Sequence, residues 1–123
     1  MTTSSVSPVT TELAGSETGI TLVIHAGAGS RGKHSTPERI AQVELDLQRA
    51  LDAGYQLLES GAPAHEAVVA AIHVMEDAPE FNAGRGAALT SDGIAQMDAC
   101  LMTGDGEVGA VTGVSTVKNR SEE

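Results

Sequence analysis

The residues with the most chemical potential lie in one run, Glu76-Asp77-Ala78-Pro79-Glu80-Phe81-Asn82-Ala83-Gly84-Arg85-Gly86-Ala87-Ala88-Leu89-Thr90. It holds the only Phe of the chain, three turn formers in Pro79, Gly84 and Gly86, and an Asn whose apolar neighbours predict burial. Such a run reads as a shaped loop rather than a linker, and loops held by rigid elements are where sites concentrate. Glu76 and Asp77 would put carboxylates at the C-terminus of a preceding helix, which the helix dipole disfavours by about 0.3–1 kcal/mol. A bound cation would remove that penalty, and the carbonyl oxygens of a tight turn are the donors that hard cations take.

Other candidates weigh less. Gly27-Ala28-Gly29-Ser30-Arg31-Gly32 has the spacing of a dinucleotide fingerprint. In that fingerprint the third Gly lies inside the opening helix, whereas the helix signals here come later, at Ser35-Thr36-Pro37. The acidic residue expected about 20 positions on would be Asp52, inside a helix rather than at a strand end. A glycine-rich turn that lets another backbone approach closely is the better reading. His73 and Glu76 are one helical turn apart, but no third or fourth metal ligand joins them, and zinc needs three or four. His34, His65 and His73 therefore read as exposed polar positions. His25 ends an apolar run, as either a core histidine or one that orients a loop. Cys100 sits in an apolar strand with no base nearby in sequence, and reads as a small buried hydrophobe rather than a nucleophile. Asp98 leaves the same choice open.

The elements that must position these residues follow from periodicity. Ile20-Thr21-Leu22-Val23-Ile24-His25 reads as a buried strand running into a turn. A helix starts where Ser35 can cap with Glu38, or Thr36 with Pro37 at the first helical position. It runs to about residue 59 on a stripe of Ile40, Val43, Leu47, Ala50, Leu51, Gly54 and Leu58. Gly61 is a stop. Pro63 opens a second helix, with Ala64, Ala67, Val68, Ala71, Ile72 and Met75 on one face. Two helices so closely joined form an antiparallel hairpin, and their apolar faces call for a sheet. Ala87-Ala88-Leu89-Thr90, a Ser91-Asp92-Gly93 turn and residues 94–102 make a β-hairpin signal. A second turn at Thr103-Gly104-Asp105-Gly106 leads to a strand over residues 107–114. The order β, α, α, β, β, β predicts an α+β fold rather than the βαβ alternation of a parallel sheet.

Bulk properties narrow the function. With 123 residues the chain holds one domain at most. The net charge of −10, with only seven Lys and Arg, excludes a nucleic-acid binder and disfavours anionic membranes. A single Cys leaves no internal disulfide framework and points to a reducing, cytoplasmic setting. Residues 1–19 are rich in Ser and Thr, carry no signal-peptide pattern and read as a disordered tail. No run approaches transmembrane length.

Six blocks, in this order and spacing, resemble one family: Leu22-Val23-Ile24-His25-Ala26-Gly27-Ala28-Gly29, Ala67-Val68-Val69-Ala70-Ala71-Ile72, Met75-Glu76-Asp77, Phe81-Asn82-Ala83-Gly84-Arg85-Gly86, Met97-Asp98-Ala99 and Gly109-Ala110-Val111-Thr112-Gly113-Val114. The family is the plant-type asparaginase / isoaspartyl peptidase group, and the likeness covers residues 20–119. The resemblance implies an N-terminal nucleophile hydrolase with an αββα sandwich, of which this chain would be the N-terminal part. It implies hydrolysis of L-asparagine and β-aspartyl dipeptides by a Thr, freed by self-cleavage, whose own amine serves as base. Asn82 would support that Thr. The carbonyls of Met75, Glu76, Ala78, Phe81, Ala83 and Arg85 would form a structural sodium loop, the only bound cofactor implied, and His25 and Gly27 would lie on a loop near the site. The sequence contains no Gly-Thr pair, so the nucleophile is expected outside it. Residues 120–123 depart from the family pattern. The chain is accordingly expected to be a truncated or split product, inactive alone. It would meet its small-molecule or dipeptide substrate only when joined to a β part, or it would act without catalysis by pairing with a full-length homologue. Self-association is also expected, because half of such a fold would leave an apolar sheet face open.

Overall fold

A computed structural model describes residues 19–26 and 35–115. The expected N-terminal tail, Gly27 with the glycine-rich turn, His34 and the 120–123 end all lie outside the described residues.

Helix α1, Pro37–Glu59, starts as the sequence allows by its second option. Thr36 is the N-cap, its hydroxyl oxygen accepts the Arg39 N–H at 3.3 Å, and Pro37 takes the first helical position where no N–H is needed. Its end is a complete Schellman motif: the Ala62 N–H reaches the Leu57 carbonyl, the Gly61 N–H reaches that of Leu58, and Gly61 sits at φ +86°. A side chain at that φ would be strained, so the glycine both stops α1 and turns the chain. Helix α2, Ala64–Asp77, follows after Pro63, which serves as its N-cap without a side-chain bond.

The two helices pack antiparallel through small residues. Ala50, Leu51 and Ala67 are wholly buried and Ala71 almost so. Gly54 sits where they cross: a Cβ there would stand 2.8 Å from the Ala67 carbonyl oxygen and 3.3 Å from the Ala71 Cβ. Gly54→Ala gains about 1 kcal/mol of helix propensity but forces a methyl against a backbone atom that cannot rotate away. Overpacking of this kind costs about 1–3 kcal/mol. We therefore expect a net loss, read as a lower urea midpoint; a raised midpoint would mean that the helices separate without cost.

Leu47, Ala50, Ala71, Met75, Ala78 and Phe81 form the core cluster, with Ile24 and Ala26 packed against it. The single Phe thus closes the end of the helix pair from the loop that follows α2. Two stripe assignments differ from the sequence reading. Ile40 lies at the open N-terminal end of α1, and Val68 and Ile72 of α2 face away from α1; all three are exposed.

The first strand expected from sequence is not paired. Residues 19–26 run extended with no ladder among the described residues, and of them only Leu22 is buried while Val23 and His25 are exposed. The apolar run there supplies Leu22, Ile24 and Ala26 to the helices instead of forming a buried strand. The hairpin expected over residues 87–102 is reduced to one bridge, Leu89 to Ala95, around a turn where the Gly93 N–H meets the Thr90 carbonyl. Regular pairing is confined to β1, Met97–Met102, and β2, Val108–Val114, which are antiparallel. Two helices and a two-stranded antiparallel sheet make the chain α+β. No helix among the described residues is long and apolar enough to cross a membrane.

Candidate active site

The loop after α2 is built from backbone pressed on backbone. The Arg85 N–H donates to the Glu76 carbonyl at 2.9 Å, and the Ala87 N–H to that of Gly84 at 3.0 Å. This folds residues 84–86 back across the end of α2. At Gly84 a Cβ would lie 2.3 Å from the Glu76 carbonyl oxygen, and at Gly86 one would lie 2.2 Å from those of both Pro79 and Phe81. No other residue type fits either position without moving the main chain. Phe81, buried, anchors the turn in the core. Across the loop, Arg39 of α1 pairs with Glu80 at 3.0 Å.

Asn82 stands at the crest of this turn. Its Oδ1 accepts the Ala88 N–H at 2.7 Å, which fixes the side chain against the outgoing strand of the loop. Burial was expected for it, and the structure corrects this: Asn82 is exposed and lines an open groove. The apolar residues around it in sequence point into the helix core, leaving the amide outside. With Oδ1 engaged, the Nδ2 hydrogens are the donors that Asn82 has left to offer.

The groove runs between the outer face of α2 and the β-hairpin. Val68, Ile72 and Glu76 of α2, Asn82 of the loop, and Met97 and Leu101 of β1 line it. Its volume is about 1520 Å³, above the roughly 300–1,000 Å³ of enclosed small-molecule pockets, and it is open to solvent along its length. A space so wide and open does not enclose a small ligand on its own.

Charge around the site is acidic and locally organised. Glu76 is buried beside the loop and Asp77 is half-buried. The last turn of α2 contains no basic residue, but the Arg85 guanidinium donates to the Asp77 carbonyl at 3.5 Å. A positive charge therefore already stands near the α2 C-terminus and offsets part of the dipole penalty. Asp98 of β1 has its carboxyl held below the ordinary Asp range, first by the Gly113 N–H at 2.9 Å and then by the Thr112 hydroxyl at 2.8 Å. Asp105, in the turn between β1 and β2, is lowered in the same sense by the Thr103 hydroxyl.

Met75 and Glu76 close α2, and Ala78, Phe81, Ala83 and Arg85 follow in the loop with Asn82, so their proximity is local. His25 lies on the extended segment, away from regular structure, and is exposed. Cys100 is also a correction: it is exposed, not a buried hydrophobe, because β1 alternates and Cys100 falls on the open side with Asp98 and Met102. His65 is exposed as expected, whereas His73 is half-buried. No group of three or more His, Cys, Asp or Glu side chains gathers to hold a metal among the described residues. Sequence reasoning missed the Arg39–Glu80 brace and the Asp98 contacts to β2. No pattern in the sequence marks a pair 41 positions apart, but a lone acid opposite Thr-Gly in a hairpin was a usable signal.

Comparison with known proteins gives a consistent picture. The profile of the family described as asparaginase matches residues 18–121. The chain is 45% identical over 101 residues to a plant-type L-asparaginase of Pyrococcus abyssi, covering 81% of this chain and 32% of that protein. It is 39% identical over 101 residues to an isoaspartyl peptidase of Escherichia coli, covering 80% and 31%. A Bos taurus isoaspartyl peptidase/L-asparaginase is 39% identical over 99 residues, again covering 80% and 31%. The chain thus spans about a third of the length of the curated relatives it matches.

Proposed function

The chain belongs to the asparaginase family, and from that premise we propose that it forms the first part of a hydrolase acting on the side-chain amide of asparagine and on β-aspartyl peptides. Family membership makes the parent a hydrolase of the asparaginase / isoaspartyl peptidase kind. The observation that carries the finer reading is the presentation of Asn82: a loop with no room for a Cβ at Gly84 or Gly86 holds the Asn amide at the edge of an open apolar groove.

In this reading the nucleophile is a Thr on polypeptide beyond these 123 residues, packed into the groove. Its α-amine takes the proton from its own hydroxyl as the oxygen attacks the amide carbon, and the same proton goes to the leaving nitrogen. Water then releases aspartate from the acyl-enzyme. Asn82 Nδ2 donates to an oxygen at that centre, the hydroxyl or the developing oxyanion, where a fixed donor has most effect. Asn82 can do this without reorganising because Ala88 already holds its other end.

A structural sodium ion would suit the donor chemistry of the loop. Carbonyl oxygens are the donors such an ion takes, and the glycine cradle packs several of them into one turn. Met75, Glu76, Ala78, Phe81, Ala83 and Arg85 would supply them. The Glu76 oxygen already accepts one N–H, which leaves it a second lone pair. When bound, the ion would neutralise carbonyl repulsion inside the turn. His25 and Gly27 would border the site from the segment before α1.

These 123 residues alone are expected to be inactive. The purified chain, made in a host lacking its own asparaginases, should release no aspartate from asparagine or β-aspartyl-leucine above the buffer rate. Turnover by the chain alone would overturn the assignment of the nucleophile. Joined to a C-terminal part that supplies the Thr, it should cleave itself before that Thr and then hydrolyse both substrates. A self-cleaved but inactive product would overturn the amidase reading itself.

A further inference from the structure

We infer that the Asp98 side chain selects the register of the β1–β2 hairpin, holding β2 in a bulged pairing against an unbulged alternative that the apolar pattern does not exclude. This stands apart from the hydrolase reading and needs only the hairpin.

Register is well specified when one face of a strand is apolar and the other polar, because a one-residue slip then moves every apolar side chain to the wrong face. That safeguard is weak here. Met97, Ala99 and Leu101 lie on one face of β1, and Cys100 and Met102 lie with Asp98 on the other. β2 is Val108-Gly109-Ala110-Val111-Thr112-Gly113-Val114, small or apolar on both faces. Sliding one strand past the other exchanges apolar for apolar at most positions.

Two polar devices remain, one at each end. The closed end is set by Thr103. Its N–H donates to the Glu107 carbonyl at 2.9 Å, its carbonyl accepts the Gly106 N–H at 3.0 Å, and its hydroxyl oxygen accepts the Glu107 N–H at 3.2 Å. From there the ladder runs regularly through Met102–Val108, Leu101–Gly109, Cys100–Ala110 and Ala99–Val111. Continued without interruption it would set Met97 opposite Gly113. Instead Met97 pairs with Val114, so Thr112 and Gly113 together oppose Asp98.

This is a bulge, in which one extra residue drops out of the ladder. Gly113 stands at φ +64°, the left-handed region that glycine enters without strain. The Gly113 N–H donates to Asp98 Oδ1 at 2.9 Å, and the Thr112 hydroxyl donates to the same oxygen at 2.8 Å. Hydrogen bonds to a carboxylate are stronger than neutral ones. The extra residue is therefore not left unbonded; Asp98 gathers both it and its neighbour. Gly113 permits the bulge and the bulge keeps Val114 half-buried on the face of Val111; Asp98 adds the polar contact that holds it.

The test is NMR on the 123-residue chain, with Asp98→Ala and Asp98→Asn variants. The unsubstituted chain should show a cross-strand contact between Met97 and Val114 and a protected Gly113 amide. Asp98→Ala should move the Met97 contact to Gly113 and speed Gly113 amide exchange at least about tenfold. Asp98→Asn keeps an acceptor oxygen in place and should keep the Met97–Val114 contact. The inference fails if Asp98→Ala keeps that contact and the Gly113 protection, or if the unsubstituted chain lacks the contact. Should Asp98→Ala not fold, Asp98→Val, a strand former without an acceptor, replaces it: movement of the Met97 contact to Gly113 supports the inference, and retention of the Met97–Val114 contact overturns it.

Discussion

Gly86→Ala should be the most damaging single methyl among the described glycines. The added Cβ would stand 2.2 Å from the carbonyl oxygens of both Pro79 and Phe81 and 2.8 Å from the Pro79 carbonyl carbon. All are backbone atoms, so no rotamer change relieves the contact. The loop must open, and opening it withdraws Phe81 from the end of the core. Core disruption and backbone strain acting together place the cost at about 3 kcal/mol or more. Gly104→Ala is the control, because a Cβ there meets nothing within 4 Å and the φ is not left-handed; its effect should stay within about 0.5 kcal/mol. Urea unfolding followed by circular dichroism separates the two. Equal midpoints for both variants would show that the 76–86 loop is not packed against α2 as described.

Leu51→Ala should cost about 2–5 kcal/mol. Leu51 is the largest wholly buried side chain among the described residues, and Ala50, Ala67 and Ala71 are buried in the same helix pair. Short side chains cannot lean in to fill the space left behind, so most of the cavity would persist. Domains of this size are stable by only about 5–15 kcal/mol, so the variant would lose a large share of the total. Leu45→Ala, earlier on the same helix but exposed, should fall within about 0.5 kcal/mol of the unsubstituted chain. The difference in urea midpoint between the two variants measures the helix interface directly. A small difference would mean that α1 and α2 are not closely packed at Leu51.

Some of this was legible in the sequence because the signals were local. Thr36 with Pro37, and Gly61 after the last turn, mark α1 through chemistry that acts within a few residues, and the structure places its ends there. The 76–86 loop was legible for the same reason, since Pro79, Gly84 and Gly86 are turn residues whatever surrounds them. The failures are of another kind. The run over residues 20–25 has strand composition, but a strand needs a partner, and composition does not provide one. Asn82 lies among apolar neighbours in sequence, yet sequence neighbours in a tight turn point in different directions. Phe81 goes in and Asn82 goes out. Cys100 shows the same limit within β1, where alternation decides its face and the residue type does not. Val68 and Ile72 carried helical periodicity, but periodicity does not tell which of two apolar faces meets the partner helix.

The β-hairpin has a consequence in time. It is closed by a turn of adjacent residues and can zip up within microseconds of leaving a ribosome. Synthesis adds only about 5–20 residues per second, so residues 97–114 would be paired in less time than it takes to add one further residue. Met102 and Val108 are exposed, on a strand pair with apolar side chains on both faces and, among the described residues, two unpaired edges. Unpaired edges of this kind are where nascent chains join one another. The yield of such a protein in a cell would then be governed by how long those edges stay open after the hairpin forms, and chaperone supply would matter most in that interval.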